Sequence, residues 1–489
     1  MVPSTSAGED SWTSSGLDFL ISVDRRTRGL GGALQQAFRD GIRAGRLHPG
    51  DPLPSTRALA ADLGVARGTV VEAYEQLAAE GWLVVRHGLG TRVADLPAAP
   101  PPPEEPRAVP APRHDLRPGH ADPSSFPRQR WAAVMRRVLA EAPDEAFGYA
   151  DPRGRPELRA ALAGYLGRAR GVRATAASLQ VCAGAGHALG IAFRAVAAHG
   201  ARLLAVEDPS SPRMQEIAAG TGLDVVALPC DGSGARAGVL AGLGADAVVV
   251  TPAHQYPLGV TLSPQRRGEL LAWARGTGGI IVEDDYDGEL RYDRQPVGAL
   301  QALDPGRVIY VGTTSKSLAA ALRVGWLVGP PQLTGQVADV IRIINAWPSS
   351  LEQLALARFI ETGMFDRHIR RMRGIYRQRR DLLVATLSQR APQLQITGIA
   401  AGGHALVRLP PGGPGEHELV AKAALAGLAV HGLSGYRVGG VPTDGREQPA
   451  LVIGYGTPAG RSYRAAVAAL GDFLRAAYAP PQTALPSRP

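Results

Sequence analysis

The chain has 489 residues, 45 % hydrophobic and 20 % charged, with a net charge of +9. That length predicts two or three domains with room for a large packed core, and its two cysteines, Cys182 and Cys230, exclude a disulfide framework and a four-ligand zinc centre. A polar N-terminus and no apolar run near the roughly 18 residues of a membrane span predict a cytoplasmic protein with no membrane partner; the charge admits an acidic partner without naming one.

Residues 1–20 are polar and carry no apolar periodicity. Leu34, Phe38 and Ile42 then recur at a spacing of four, which marks one face of a first helix. Ser55 follows Pro54 and precedes a run with Leu59 and Leu63 on one face, so its hydroxyl is placed to cap a second helix. After a break at Gly64, Val70, Tyr74 and Leu77 mark a third. Leu83-Val84-Val85 and Thr91-Arg92-Val93 flank His87-Gly88-Leu89-Gly90, a hairpin with a glycine tip. Helix, helix, turn, helix and two-stranded wing is the order of a winged helix-turn-helix.

Residues 97–114 read PAAPPPPEEPRAVPAPRH. Proline at that density fits neither helix nor central strand and predicts an extended, semi-rigid spacer. It divides a small module, 21–96, from a large one, 115–480. In the large module, apolar runs at Leu203–Val206, Asp224–Leu228, Ala247–Val250, Ile280–Val282 and Val308–Val311 alternate with Ala/Leu-rich helical stretches. Such runs predict a mostly parallel sheet covered on both faces, an α/β fold whose ligands bind beyond the carboxyl ends of the strands. Polar clusters follow the runs at that end: Glu207-Asp208, Thr251 to Tyr256, Glu283 to Asp287 and Thr313 to Ser317.

The small module carries Leu53-Pro54-Ser55-Thr56-Arg57-Ala58-Leu59-Ala60, then Leu63-Gly64-Val65-Ala66-Arg67-Gly68-Thr69-Val70 and the Gly88-x-Gly90-Thr91 wing. This pattern resembles the GntR-type winged helix, which implies a double-stranded operator DNA as partner. Ser55, Thr56 and Arg57 open a helix whose free N–H groups and guanidinium suit a phosphate. Arg67 and Thr69 head the third helix, where side chains reach base edges in the major groove. Gly88 and Gly90 let the wing backbone come close to DNA. Charge alone does not demand this, because residues 20–95 hold ten arginines against eight acids. Ala66 stands where the family often has Ser, which removes one helix cap.

Only two of the 53 basic residues are lysines, Lys316 and Lys422. A guanidinium cannot form a Schiff base; a lysine amine of lowered pKa can. Lys316 follows the run at Val308–Val311 within Thr313-Thr314-Ser315-Lys316-Ser317-Leu318, 32 residues after Asp284 and seven before Arg323. Pyridoxal phosphate needs an amine, a carboxylate at the pyridine nitrogen, a phenol at the ring hydroxyl and a cation at the phosphate. Glu283-Asp284-Asp285-Tyr286-Asp287, Ser315-Lys316 and Arg323 supply that set in order.

Together they resemble the fold-type I aminotransferases. With Gly148-Tyr149-Ala150-Asp151-Pro152-Arg153-Gly154, Glu207-Asp208-Pro209 and Thr251-Pro252-Ala253-His254-Gln255-Tyr256-Pro257, and with a winged helix ahead, the chain resembles the MocR/GabR subfamily of GntR regulators over about residues 29–475. The resemblance implies a small winged helix-turn-helix domain followed by a large fold-type I aminotransferase-like α/β domain, with pyridoxal 5'-phosphate held on Lys316. It implies Asp284 at the pyridinium and Tyr286 at the ring hydroxyl, with Ser315, Arg323, Thr313 and the backbone at Ala185 and Gly186 on the phosphate. Tyr256 would stand near the ring, Tyr149 would reach the phosphate of a neighbouring subunit, and Arg213 and His254 would face the effector.

Val452, in Leu451-Val452-Ile453-Gly454-Tyr455, stands where aminotransferases carry the arginine that clamps the substrate α-carboxylate, and Ser211 where an aromatic is common. The implied function is a homodimeric regulator that senses an amine or amino acid through aldimine exchange, with swapped heads on the spacer. A working aminotransferase with an accessory DNA-binding domain, and a sensor of the cofactor itself, are the alternatives.

Overall fold

A computed structural model describes residues 29–86, 90–96, 111–149, 151–293, 296–344, 346, 348–438 and 448–478, with a short antiparallel pair, Ser11–Thr13 and Leu20–Ser22. The chain divides into two compact units, Met1–Val109 and Pro110–Pro489.

In the first unit, α1 (Leu30–Arg43), α2 (Thr56–Leu63) and α3 (Arg67–Ala79) precede β1 (Leu83–Arg86) and β2 (Gly90–Val93). Leu34, Phe38, Leu59, Leu63, Val70, Tyr74 and Leu77 are buried in one cluster, with Ile42 packed at its edge. The spacing of four read from the sequence is therefore the core-facing stripe. Ser55 is the N-cap of α2; its Oγ accepts from the Ala58 amide at 3.2 Å, and Gly64 closes the helix at φ 65°. Ala66 caps α3 with no side-chain bond. β1 and β2 pair antiparallel from Leu83 with Val93 to Arg86 with Gly90. His87, Gly88 and Leu89 lie outside the described residues, so the expected hairpin tip is described only at Gly90, whose φ is 80°. A feature without sequence signal joins the wing: Leu53 donates to Thr91 O and Val93 to Asp51 O, which ties the turn before α2 to β2.

The second unit is built on an eight-stranded sheet. Its labelled strands are β3 (Leu179–Cys182), β4 (Leu203–Asp208), β5 (Asp224–Asp231), β6 (Ala247–Val250), β7 (Ile280–Asp285), β8 (Val308–Thr313) and β9 (Gly325–Val328). They lie in the order β3-β9-β8-β7-β6-β4-β5, with Gly234–Ala235 at the far edge. Strands β4 to β8 run parallel, and β9 is antiparallel to both its neighbours. Alternate residues feed two separate cores: Val206, Val249, Val282 and Ile309 on one face, Ala205, Val248, Ile281 and Val308 on the other. Both faces are covered, which is why these strands read as unbroken apolar runs. A smaller four-stranded antiparallel sheet includes His404–Arg408 and Ala450–Gly454.

Glu207-Asp208, Glu283 to Asp285 and Thr313 are the last residues of their strands, beyond the apolar runs. The end of the proline-rich segment belongs to the second unit: His114–Asp115 pairs parallel with Leu428–Ala429, and the His114 amide donates to Gly427 O. Among the described residues no helix is long and apolar enough to cross a membrane, and no group of three or more metal-ligating side chains is found.

Candidate functional site

A cavity of about 1210 Å³ opens at the carboxyl ends of the parallel strands. Its wall gathers Asp284 from β7, Thr313 from β8, then Ser315, Lys316 and Arg323 from the segment joining β8 to β9. These residues come together because adjacent parallel strands deliver their ends to one edge.

Successive side chains on a strand face opposite sides of the sheet. Asp284 therefore faces the cavity, while Glu283 and Asp285 face away and do structural work. Glu283 accepts the amides of Leu300 and Gln301 at 2.8 and 2.9 Å. Asp285 takes the Arg170 guanidinium, with Nε 2.6 Å from Oδ2 and Nη2 3.1 Å from Oδ1, and the Tyr310 hydroxyl at 2.7 Å. The Arg170 side chain is 0 % exposed. Of three acids in a row, one is left for chemistry.

Burial pushes the Asp284 carboxyl up to about 7, with the neighbouring Asp285 charge adding to it. Its Oδ1 is shielded from solvent and has no hydrogen-bond partner among the described residues. Burial lowers the Lys316 ammonium below its ordinary pKa, against the opposing pull of Asp287 and Asp284. Its Nζ donates to Gly119 O, a contact across 197 residues of sequence.

The rim holds the cationic groups. Arg323 is the one non-glycine residue with positive φ among the described residues, at 52°, and its Nη2 donates to Ala183 O at 2.7 Å. That aims the guanidinium past Gly184, where φ is 87°, onto the first turn of α4 (Ala185–Ala198). Ala185 and Gly186 open this helix on the cavity wall, so free N–H groups point at the rim. Thr313 Oγ1 and Ser315 Oγ lie 2.9 Å apart beside them. Arg213, on α5 (Pro212–Ala219), also reaches the helix start: a Cβ on Gly186 would come within 3.3 Å of its Nε. Gly186 leaves room for that guanidinium.

The aromatic side is more tightly engaged than the sequence implied. The Tyr286 hydroxyl donates to His254 O at 3.0 Å, and Tyr256 meets the Tyr436 hydroxyl at 3.3 Å. His254 does not reach the cavity wall. It is 2 % exposed and holds Asp287 Oδ2 at 2.8 Å through Nδ1, one layer behind the surface an effector would touch. Asp287, His404, Tyr436 and His431 line the cavity and were not singled out. Asp287 lay inside the acidic segment already read; His404 and His431 carried no local signal. Val452 is 0 % exposed and packs with Leu406, Leu433 and Tyr436. Tyr149 is 99 % exposed and away from this cavity.

In the first unit, Thr56 is partly buried, while Arg57 and Arg67 are exposed at the starts of α2 and α3; the Thr69 amide donates to Ala66 O at 3.0 Å.

The family model for aminotransferase class I and II matches residues 120–450, and that for bacterial regulatory proteins of the gntR family matches residues 30–93. The chain is 34 % identical to the HTH-type pyridoxine biosynthesis transcriptional regulator PdxR of Corynebacterium glutamicum, over 90 % of this chain and 95 % of that protein. It is 36 % identical to the probable rhizopine catabolism regulatory protein MocR of Rhizobium meliloti, over 72 % and 76 %. The chain belongs to the MocR-type regulators of the GntR family. The fold of its second unit is that of the kynurenine aminotransferase of Pyrococcus horikoshii, with a TM-score of 0.66 at 24 % identity, covering 74 % of this chain and 90 % of that one.

This MocR-type regulator is accordingly a DNA-binding protein with a pyridoxal 5'-phosphate domain. Its residues fit the cofactor. An unpartnered, shielded carboxylate oxygen beside a lysine of lowered pKa is what a protonated pyridine ring and an aldehyde would complete, and the cation and N–H groups at the rim suit a phosphate.

Proposed function

We propose that this chain is a cytoplasmic regulator whose residues 21–96 read operator DNA, joined by the spacer 97–114 to residues 115–480, which sense a small amine or amino acid. The observation that carries the reading is the pairing of Lys316 and Asp284 in the wall of one cavity. When bound, the cofactor supplies an aldehyde that condenses with primary amines and a ring that withdraws electrons.

Lys316 would hold that aldehyde. Its lowered pKa leaves more of the neutral amine near pH 7, which makes it both nucleophilic and exchangeable. Asp284 would keep a proton on the ring nitrogen: a cation at Oδ1 returns the carboxyl to its ionised form. Ser315, Thr313, Arg323 and the amides of Ala185 and Gly186 would take the phosphate, with Tyr286 and Tyr256 flanking the ring. Arg213 would meet an acidic group of the effector. A bidentate arginine clamp is a main source of substrate orientation, and Val452 withholds it, so the effector is an amine whose recognition does not need an α-carboxylate. Displacing Lys316 would alter the contacts around Arg323 and bias two arrangements of the DNA-binding heads. The full exposure of Tyr149 supports a homodimer in which this ring serves the neighbouring subunit. Such a dimer would read a palindromic or repeated half-site.

On DNA, Ser55, Thr56 and Arg57 would hold phosphates, Arg67 and Thr69 would face bases, and Gly88 and Gly90 would shape the wing. Arg67→Ala is expected to weaken specific operator binding by about 1–3 kcal/mol; an unaltered footprint would return Arg67 to the plain surface.

The retained Lys316 and Asp284 also favour a second reading, a working aminotransferase with an accessory DNA-binding domain. One experiment separates the two. The holo-protein is titrated with a panel of amines while its visible spectrum is followed, and a keto acid is then added. A spectral change that persists, with altered DNA affinity, supports the sensor. Multiple-turnover formation of a new keto acid supports the enzyme, and a spectrum unmoved by every amine removes both.

A further inference from the structure

One strongly charged surface is not used by the cavity. Residues 367–380, within the long helix α6 (Met364–Arg390), contain seven arginines and no acid. That segment alone carries +7, against +9 for the whole chain. Among the described residues only Arg379 is neutralised, by Asp122 at 2.5 Å. Arg370, Arg373 and Arg377 fall at spacings of three and four, so they form one stripe, and like charges at that spacing destabilise a helix. The stripe lines a second cavity of about 640 Å³ with Arg291.

The neighbours orient the stripe without discharging it. Arg373 Nε donates to Glu289 O at 2.6 Å, and Arg377 Nη2 donates to Tyr292 O. Both acceptors are neutral carbonyls, so the positive charge remains. Arg291 is taken by Asp293, at 2.7 Å. Arg370 and Arg371 are exposed and have no hydrogen-bond or ion-pair partner among the described residues. Burial pulls the Arg373 guanidinium below its ordinary pKa; Tyr165 and Glu289 oppose that pull, and Arg170 and Arg370 add to it. An anion would relieve all of these charges together.

The row shape favours a polymer over a small anion. From Arg370 to Arg377 the helix rises about 10 Å, enough to face about three phosphates of one DNA strand. The unit that reads the operator has little charge of its own: residues 20–95 hold ten arginines against eight acids. Phosphate neutralisation supplies most of the sequence-independent affinity for DNA. We infer that the arginine stripe at Arg370, Arg373 and Arg377, with the exposed Arg371 next to Arg370 in the chain, is a second DNA contact, holding the phosphate backbone while the winged helix reads sequence. This rests on the operator-binding reading above.

The test uses the full-length holo-protein, with duplexes of two kinds: an operator selected in vitro with the wild type, and a sequence chosen arbitrarily. The variant is the pair Arg370→Ala and Arg371→Ala, which removes no bond within the fold. Binding is measured across a salt series. The slope of log K against log salt is expected to become shallower by about 0.9 for each phosphate no longer neutralised, close to two for the pair, and equally on both duplexes. Replacing the same two residues by lysine should restore the slope, because a lysine also neutralises a phosphate. An unchanged slope and affinity would overturn the inference. So would loss of inorganic phosphate binding with DNA binding intact, which would assign the stripe to a small anion. Arg67→Ala, run alongside, separates the two readings: loss of operator preference there with no effect at Arg370 and Arg371 rejects the second contact alone.

Discussion

Lys316→Ala is expected to abolish the visible absorption of the lysine-linked cofactor and to leave nothing for borohydride to fix covalently. The effect should be complete, because the only other lysine, Lys422, cannot substitute. Lys422 stands on the exposed face of the helix Glu416–Leu425, in an ion pair with Glu418 at 2.6 Å. Its charge is stabilised by a neighbour and by water, whereas burial strips the Lys316 ammonium of hydration. Lys422 also lies outside the cavity that holds Lys316. Cofactor would still associate weakly through the rim, since Arg323, Ser315 and the start of α4 do not depend on the amine. Peptide mapping after borohydride decides the matter: label found on a peptide without residue 316 would remove Lys316 from its role. With two lysines in the chain, the map has few possible outcomes.

Arg170→Ala is expected to destabilise the second unit by about 3–5 kcal/mol, the usual result of removing one partner from a buried ion pair. The loss does not come mainly from the attraction between the charges. Asp285 would be left buried without its cation, with the Tyr310 hydroxyl at 2.7 Å as its one remaining side-chain partner among the described residues. The damage should reach the cofactor site, because Asp285 is the neighbour of Asp284 on β7 and Arg170 anchors the end of that strand, including Gly288 O at 3.3 Å. The double variant Arg170→Leu with Asp285→Leu should recover a good part of the stability, since no lone charge remains. Chemical unfolding followed in the second unit measures both. A single variant with an unchanged unfolding midpoint would show that water reaches Asp285 and that the pair is not a structural tie.

Much of the fold was legible because its determinants are local. The spacing of Leu34, Phe38 and Ile42, the cap at Ser55 and the break at Gly64 each act within about one helical turn. The five apolar runs appear as β4 to β8, four of them extended by two or three residues at their ends. Strands β3 and β9 were not foreseen. Gln180 and Gly325 interrupt their apolar character, and what makes them strands is pairing with other segments of the sheet.

The candidate site divides in the same way. The sequence by itself determined the chemistry: the lysine in an arginine-rich chain, the acidic segment 32 residues before it, Arg323 seven residues after, and the apolar residue at 452. Only the tertiary structure decided the environment of those groups. It turned Asp284 toward the cavity and Asp285 toward Arg170, brought Gly119 O to Lys316, set Arg213 against Gly186 and moved His254 behind Asp287. Alternation along a strand can be read from its own residues, but burial, and with it the rise at Asp284 and the fall at Lys316, is made by segments 100 or more residues apart. Desolvation depends on everything packed around a group, and no stretch of sequence contains its own surroundings.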